Sequence, residues 1–249
     1  MKHLKYLFRN FKRYFKSLFW IFKLKHRNKG KSIGLEITEF FGLYENIHIL
    51  CPGSSLDKIL DSKIEKPALL IFVNHALDIC DIELFNGFHK IAFTADVCRA
   101  KEIINKKNNK LHKCKSVLAP VMPQFLRQEI LNTYEYIFDI DPTFSIKYGF
   151  VAKAYKNYQK INPPNHVFNY FGYGSLNGAL IFSILFQPKQ INIWGCDFYS
   201  SKNNLYSSLT DAEKYTYNVD FGHYEDRVRS DFDLVKKYFD SIGTELLCH

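Results

Sequence analysis

Glycine and serine residues stand where the first apolar run of the chain ends, and their types suit phosphate or nucleotide binding. The run Ile47–Cys51 is followed by Pro52 and then by Gly53, Ser54 and Ser55, after which a helix is predicted. Backbone N–H groups at a helix start attract phosphate, because they have no partner within the helix. The turn has one glycine where the dinucleotide fingerprint has three, so an ordinary strand-to-helix turn is an equal alternative.

Two further polar side chains directly follow apolar runs. Asn74 follows the run Ala68–Val73, and Asp96 lies just beyond the run Ile91–Thr94. In an open sheet of parallel strands, residues just past the carboxyl ends line the ligand crevice. An Asn amide there can both donate to and accept from a ribose or a phosphate. A turn-forming asparagine is an alternative that the sequence leaves open.

A third group of small and polar residues lies at a predicted helix start, in Gly172-Tyr-Gly-Ser-Leu-Asn-Gly178. Small residues let a ligand approach the backbone closely, and Ser175 and Asn177 supply polar side chains. An apolar helix follows this loop, and it leads to a strand that ends in Trp194-Gly-Cys-Asp-Phe-Tyr199.

The segment from Tyr199 to Tyr224 is polar, rich in tyrosine and irregular, which is typical of a functional loop. We predict a mobile lid over about residues 199–222. The segment ends in Phe221-Gly-His223, and a histidine in a polar loop is a candidate general base. The chain has nine histidines, so a surface histidine bonded to a neighbouring acid is the alternative.

Metal binding is weakly supported by the sequence. None of the six cysteines forms a CxxC pair, and the spacing of Cys98, His112 and Cys114 matches no common metal pattern. Asp139 and Asp141 have the letters of an Asp-x-Asp metal motif, but two acids in an exposed turn explain them as well. We therefore expect no metal site and a protein with reduced cysteines in the cytoplasm.

The elements that must position these residues alternate between strand-like and helix-like patterns. The predicted strands are Ile47–Cys51, Ala68–Val73, Ile91–Thr94, Ser116–Ala119, Gln190–Trp194 and Thr244–Cys248. The predicted helices are Ser55–Leu60, Leu176–Leu185 and Arg227–Ile242. This alternation predicts an α/β fold that is Rossmann-like, with a mostly parallel sheet, helices on both faces and a small lid subdomain.

The basic charge of the chain is concentrated in its first residues. Of the 34 Lys and Arg residues, eleven lie in 1–31, where there is no acid, and the remaining 23 face 25 acids. Apolar residues recur there every three or four positions, which predicts a basic amphipathic helix. We predict that 1–31 associates with an anionic membrane surface, and packing on the domain 46–249 is the alternative. No broad nucleic-acid surface is expected.

The order of these motifs resembles that of the bacterial lipooligosaccharide sialyltransferases, which use CMP-sialic acid. That family has a strand ending in GNGPSL, an Asn after the second strand, a TSG-type loop with its helix, a strand ending in GIDFY, a lid tyrosine and a GH pair. This chain has CPGSSL, Asn74, Gly174-Ser-Leu-Asn-Gly178, GCDFY, Tyr206 and Gly222-His223 in the same order. The resemblance covers about residues 46–249.

The resemblance implies a role for each matched residue. His223 would be the general base that takes the proton of the acceptor hydroxyl, and Tyr199 and Tyr206 would stabilise the leaving CMP phosphate. The resemblance assigns binding of the donor to Gly53, Ser54, Ser55, Asn74 and Ser175. To this predicted set we add Asp96 and Asn177, because of their positions after a strand and at a helix start. The resemblance also implies a CMP-sugar as donor substrate, no cofactor, a glycolipid acceptor and inversion at the transferred sugar, on the inner face of the bacterial inner membrane.

Three departures from the family pattern leave alternatives open. Pro52 replaces the Asn of GNG, Gly172 aligns with an Arg that can meet the donor carboxylate, and a second Asn is missing near Asp96. A transferase for another CMP-activated acid sugar, such as Kdo, is therefore one alternative. A non-catalytic membrane-surface protein on the same fold is a second, and a magnesium-dependent nucleotide pyrophosphotransferase is a third.

Overall fold

The computed structural model describes residues 43–95, 97–119, 128–137, 140–141, 151–152, 175–197, 206–211, 232–233, 236–237 and 239–249. The arm 1–31 and the site candidates Asp96, Tyr199 and His223 lie outside the described residues. Most of the predicted lid also lies outside them, apart from 206–211.

Seven parallel strands form the sheet that organises the fold. They are β1 (Asn46–Leu50), β2 (Leu69–Val73), β3 (His89–Thr94), β4 (Lys115–Leu118), β5 (Tyr136–Ile137), β8 (Gln190–Trp194) and β9 (Glu245–Cys248). Their order is β5-β4-β3-β2-β1-β8-β9, and every neighbouring pair is parallel. The prediction of an α/β fold with a mostly parallel sheet is confirmed.

The sequence of the central strands explains their position. Every residue of β2, with the sequence LLIFV, is buried, as expected where helices cover both faces of a parallel sheet. The chain extends the sheet from β1 toward β5, and later from β1 toward β9. Crossovers between parallel strands are right-handed, so the two directions place their helices on opposite faces.

Short helical segments follow the strands. The α-helices are α1 (Val97–Leu111), α2 (Gln128–Thr133) and α3 (Ser175–Ser183), and residues 232–233, 236–237 and 239–241 are also helical. The 3-10 helices are Ser54–Asp61, Asn74–Ile79, Glu83–Phe85 and Ile184–Phe186. Among the described residues, no helix is both long and apolar enough to cross a membrane.

Helix α3 packs directly on the sheet, and this contact fixes where its first residue lies. Phe182 of α3 meets Phe93 of β3, with ring centroids 5.4 Å apart. A methyl group on Gly178 would stand 3.2 Å from the Phe93 ring, so the glycine allows the helix to approach closely. The apolar residues of α3 are therefore buried against the sheet. This packing places the start of α3 above the central strands.

The second aspartate of the Asp-x-Asp motif does not lie in the exposed turn that the sequence predicts. Asp141 belongs to β6 (Ile140–Asp141), which pairs antiparallel with β7 (Val151–Ala152). The turn interpretation is therefore wrong for Asp141, because its backbone is part of a two-stranded ladder. Asp139 lies outside the described residues.

Candidate active site

Two loops meet at the point where the strand order changes direction, between β1 and β8. The Gly53 N–H donates to the Gly195 carbonyl at 2.9 Å, and the Cys51 N–H donates to the Trp194 carbonyl at 2.8 Å. A Cβ on Gly53 would lie 2.3 Å from the Gly195 carbonyl oxygen, and one on Gly195 would lie 2.0 Å from that of Cys51. Glycine at both positions therefore lets the two backbones touch. A crevice outside such a switch point is where open α/β sheets bind ligands.

Asp197, which follows β8, is directed at the Gly53–Ser55 turn. One of its carboxylate oxygens accepts the Ser54 hydroxyl at 3.0 Å and the Ser55 N–H at 2.9 Å. These two donors are therefore already engaged within the chain, and a negative charge stands beside them. The expectation that the turn offers its N–H groups to a phosphate is not met at Ser55, because Asp197 takes the place of the anion.

Asp197 is a site residue that the sequence interpretation did not single out. It lies within the motif Trp194-Gly-Cys-Asp-Phe-Tyr199, in which a role is predicted only for the tyrosine. An acid three residues after a buried strand of an α/β sheet was the available signal, because such positions line the crevice.

Asn74 and Ser175 come together across the crevice. Asn74 follows β2 with a left-handed backbone, at φ 52°, a conformation that asparagine tolerates better than most residues. Its Nδ2 donates to the Ser175 hydroxyl, the first residue of α3, at 2.9 Å. Two predicted site residues that are 101 positions apart in the chain are thus in direct contact.

Two buried polar atoms of this region have no hydrogen-bond partner within the described part of the chain. They are Oδ1 of Asn74 and the hydroxyl oxygen of Ser55. A buried polar atom without a partner costs free energy, and such atoms in native proteins call for an explanation. Both are predicted site residues, and hydroxyl or amino groups of a bound ligand would satisfy them.

Tyr206 is brought to the same edge by the residue that follows it. The Ser207 N–H donates to the Pro52 carbonyl at 2.9 Å, directly before the Gly53 turn. Tyr206 itself is half-buried. The structure thus assembles Gly53, Ser54, Ser55, Asn74, Ser175 and Tyr206 at the carboxyl edge of the sheet.

Asn177 differs from its neighbours in the predicted set. It is 4% exposed and lies in the first turn of α3, two residues after Ser175. Its side chain is thus part of the buried layer at the start of α3 and is not open to solvent.

His75, which follows Asn74 in the chain, is held as a neutral imidazole. Burial, together with the nearby charges of Lys107 and Arg99, lowers its pKa to about 3. Lys107 lies with Nζ 3.1 Å from Nδ1 of His75 and 2.5 Å from the carboxylate of Asp78. An ammonium can only donate, so Nδ1 accepts and the imidazole proton lies on Nε2. A histidine in this state is a poor general base at neutral pH.

The part of the chain that the structure describes contains no cluster of potential metal ligands. There, no three His, Cys, Asp or Glu side chains are arranged so that they could hold an ion. Cys51, Cys80, Cys114, Cys196 and Cys248 are reduced thiols.

No protein-family model matches the chain, and no curated protein matches it significantly. Two solved structures are similar to it. The monofunctional α-2,3-sialyltransferase Cst-I from Campylobacter jejuni is 15% identical with a TM-score of 0.44, over 82% of this chain and 75% of that one. The sialyltransferase CstII from Campylobacter jejuni, in complex with a substrate analogue, cytidine-5'-monophosphate, is 12% identical with a TM-score of 0.44. The match covers 83% of this chain and 80% of that one. Values this low transfer no residue roles.

Proposed function

We propose that this chain is a glycosyltransferase that moves a nonulosonic acid, sialic acid in the first instance, from a CMP-sugar to a glycolipid acceptor. One observation carries the proposal: motif residues from four separate stretches of the chain lie together at the carboxyl edge of the sheet. These are the Gly53–Ser55 turn, Asn74, Ser175 and Tyr206. Their order along the chain resembles that of the bacterial lipooligosaccharide sialyltransferases.

The charges around the crevice indicate how the donor would lie. Asp197 places a carboxylate beside the Gly53–Ser55 turn, so this side favours the hydroxyl and amino groups of the cytidine. The start of α3 at Ser175 carries the positive end of the helix dipole. The phosphate is therefore proposed to face Ser175 and Tyr206, with the nucleoside toward Ser55 and Asp197 and with Asn74 Oδ1 accepting from a ribose hydroxyl.

The proposed reaction is a direct displacement. His223 accepts the proton of the acceptor hydroxyl, whose oxygen forms a bond to the anomeric carbon of the ulosonic acid. The bond from that carbon to the phosphate oxygen breaks, and CMP leaves with the electron pair. Hydrogen bonds from Tyr199 and Tyr206 stabilise the charge that develops on the phosphate. The configuration at the anomeric carbon is inverted.

Three further features complete the proposal. The chemistry needs no divalent metal, because hydroxyl donors suffice for a single phosphodiester leaving group. The arm 1–31 holds the enzyme on the anionic inner face of the bacterial inner membrane, where a glycolipid acceptor is available. The division into this arm and a catalytic domain 46–249, with a lid at about 199–222, follows from the same sequence patterns.

The donor site is tested by measuring nucleotide binding to the full-length chain with isothermal titration calorimetry. We expect CMP to bind more tightly than AMP. Ser55→Ala and Asn74→Ala should each weaken CMP binding about tenfold, since each removes one hydrogen bond from a buried group. Ser62→Ala is the matched control, because this hydroxyl lies at the exposed end of the same 3-10 helix, where it donates to the Lys58 carbonyl.

Cytidine, titrated beside CMP, separates the two halves of the site. Ser55→Ala and Asn74→Ala should each weaken cytidine and CMP alike, whereas Ser175→Ala should weaken CMP more than cytidine. The assignment is wrong if CMP binds no better than AMP, or if Ser55→Ala and Asn74→Ala both bind CMP as the Ser62→Ala control does.

A further inference from the structure

The residues 206–211, of which Tyr206 is the first, are held to the sheet edge by two carboxylates. The hydroxyl of Ser207 donates to Asp57, and that of Ser208 donates to the same carboxylate at 2.8 Å. At the other end, the Asp211 N–H donates to Asp78 at 2.8 Å. The segment is therefore fastened at both ends within six residues.

Both carboxylates occupy equivalent places in the fold. Asp57 lies in the 3-10 helix Ser54–Asp61 after β1, and Asp78 lies in the 3-10 helix Asn74–Ile79 after β2. Each helix begins with residues assigned to the donor, at Ser54 and at Asn74. The segment 206–211 thus spans the two helices that border the proposed nucleotide site.

The electrostatics of each anchor favour the observed bonds. Burial raises the pKa of Asp57, but the hydrogen bonds from Ser207 and Ser208 outweigh this effect, so its pKa lies below the usual value. Asp78 is balanced by Lys107, whose side chain is only 6% exposed. Lys107 lies where α1 departs from helical geometry, at φ −133° and ψ 23°. A lysine is thus buried where it can compensate the charge of Asp78.

We propose that Asp57 and Asp78 are positioning residues that clasp the segment 206–211 to the sheet edge and so place Tyr206 at the donor phosphate. The clasp itself follows from the contacts of the two carboxylates. The role of Tyr206 rests on the proposed function. Neither aspartate touches the reacting atoms, so each acts through the segment that it holds.

Hydrogen exchange of the full-length chain without any ligand tests the clasp. Asp57→Asn and Asp78→Asn should speed exchange in peptides covering 206–211 by about ten- to a hundredfold, because hydrogen bonds to a charged group are lost. Asp61→Asn, an exposed residue of the same 3-10 helix as Asp57, is the first control. Asp81→Asn is the second, since this carboxylate pairs with Lys110 and Lys113 and not with 206–211. Unchanged exchange in both test variants would overturn the clasp.

A double-mutant cycle on turnover tests the positioning. Asp57→Asn should lower kcat for CMP-sugar transfer about tenfold, with the KM for the donor within about threefold, because the Tyr206 hydroxyl bond strengthens as charge develops. In a Tyr206→Phe background the same change should add less than about twofold, since the hydroxyl that it positions is gone.

Fully additive effects in the cycle would overturn the positioning role, even if exchange is faster. A wild-type chain that transfers from no CMP-sugar would contradict the proposed function alone. The exchange comparison would still decide whether Asp57 and Asp78 hold the segment.

Discussion

Single residues determine which part of a nucleotide each side of the crevice can accept. Asp197 brings negative charge to the Gly53–Ser55 turn, where a helix start would otherwise attract phosphate. Asn74 and Ser175 lie at the positive end of α3. In the proposed function the donor is thus oriented by charge, with its hydroxyl groups toward Asp197 and its phosphate toward α3.

His48 and His75 predict a dependence of stability on pH. Burial lowers the pKa of both, to about 4 for His48 and about 3 for His75. Below an unfolded pKa of about 6.5 the unfolded chain binds protons that the folded chain does not, so the free energy of unfolding falls as pH drops from 6.5 toward 4. Each histidine should account for up to about 2 kcal/mol between pH 7 and pH 5.

Urea unfolding at pH 7 and pH 5 measures this loss. His75→Gln cannot take up a proton when unfolded, so its loss between the two pH values should be smaller than that of the wild type. His112→Gln, at an exposed position, is the control and should keep the wild-type loss. Equal losses in His75→Gln and the wild type would show that His75 is not held neutral by the fold.

For single residues, the sequence predicted which side chains lie at the candidate site, but it did not predict the hydrogen bonds between them. Gly53, Ser55, Asn74 and Ser175 were found because each follows or begins an apolar element, and the carboxyl ends of parallel strands share one edge. Asp197 was missed as a partner of Ser54 and Ser55, because a contact across more than 140 positions leaves no local pattern.

At the scale of elements, the approach of the β1 and β8 loops holds the switch point together. The carbonyl oxygens of Cys51 and Gly195 stand where Cβ atoms of the opposite loop would have to lie. Backbone atoms cannot move aside as the end of a flexible side chain can, so substitution at these glycines must displace a loop.

Gly195→Ala should therefore destabilise the chain more than Gly243→Ala. Both glycines have positive φ, 68° and 76°, so both substitutions carry a conformational cost of about 1–2 kcal/mol. A Cβ at Gly243 meets nothing within 4 Å, whereas one at Gly195 lies 2.0 Å from the Cys51 carbonyl oxygen. We expect an additional loss of about 2 kcal/mol or more for Gly195→Ala. Denaturant unfolding of both variants measures the difference, and equal losses would mean that the loops do not meet as described.

Elements with strong apolar patterns were predicted to within a residue or two, and those without were missed. Strands β1, β2 and β8 have continuous buried runs, which the sequence shows as short unbroken stretches of mainly apolar residues. The two-residue strand β5 is too short to carry a pattern. Helix α1 is rich in lysine and interrupted at Lys107, so no sustained apolar stripe marks it.

For the whole molecule, strand order is what brings distant motifs to one place. Alternating elements predicted a parallel sheet, but not that β8 would pair with β1 in the register Ile47 to Ile191. That pairing creates the switch point and sets Asp197 against the Gly53 turn. Pairing between strands far apart in the chain depends on packing of the complete core, which a single sequence does not reveal.

The central claim is transfer from a CMP-sugar with His223 as the base, and transfer by the full-length enzyme tests it most directly. CMP release and glycosylated acceptor are measured together in EDTA, with CMP-sialic acid and CMP-Kdo in parallel. We predict product from CMP-sialic acid, and a loss of about a hundred- to ten-thousandfold in kcat for His223→Ala with little change in CMP affinity. The exposed His112→Ala should stay within about twofold of the wild type. No product from either donor, or a His223→Ala enzyme within a few-fold of the wild type, would contradict the account.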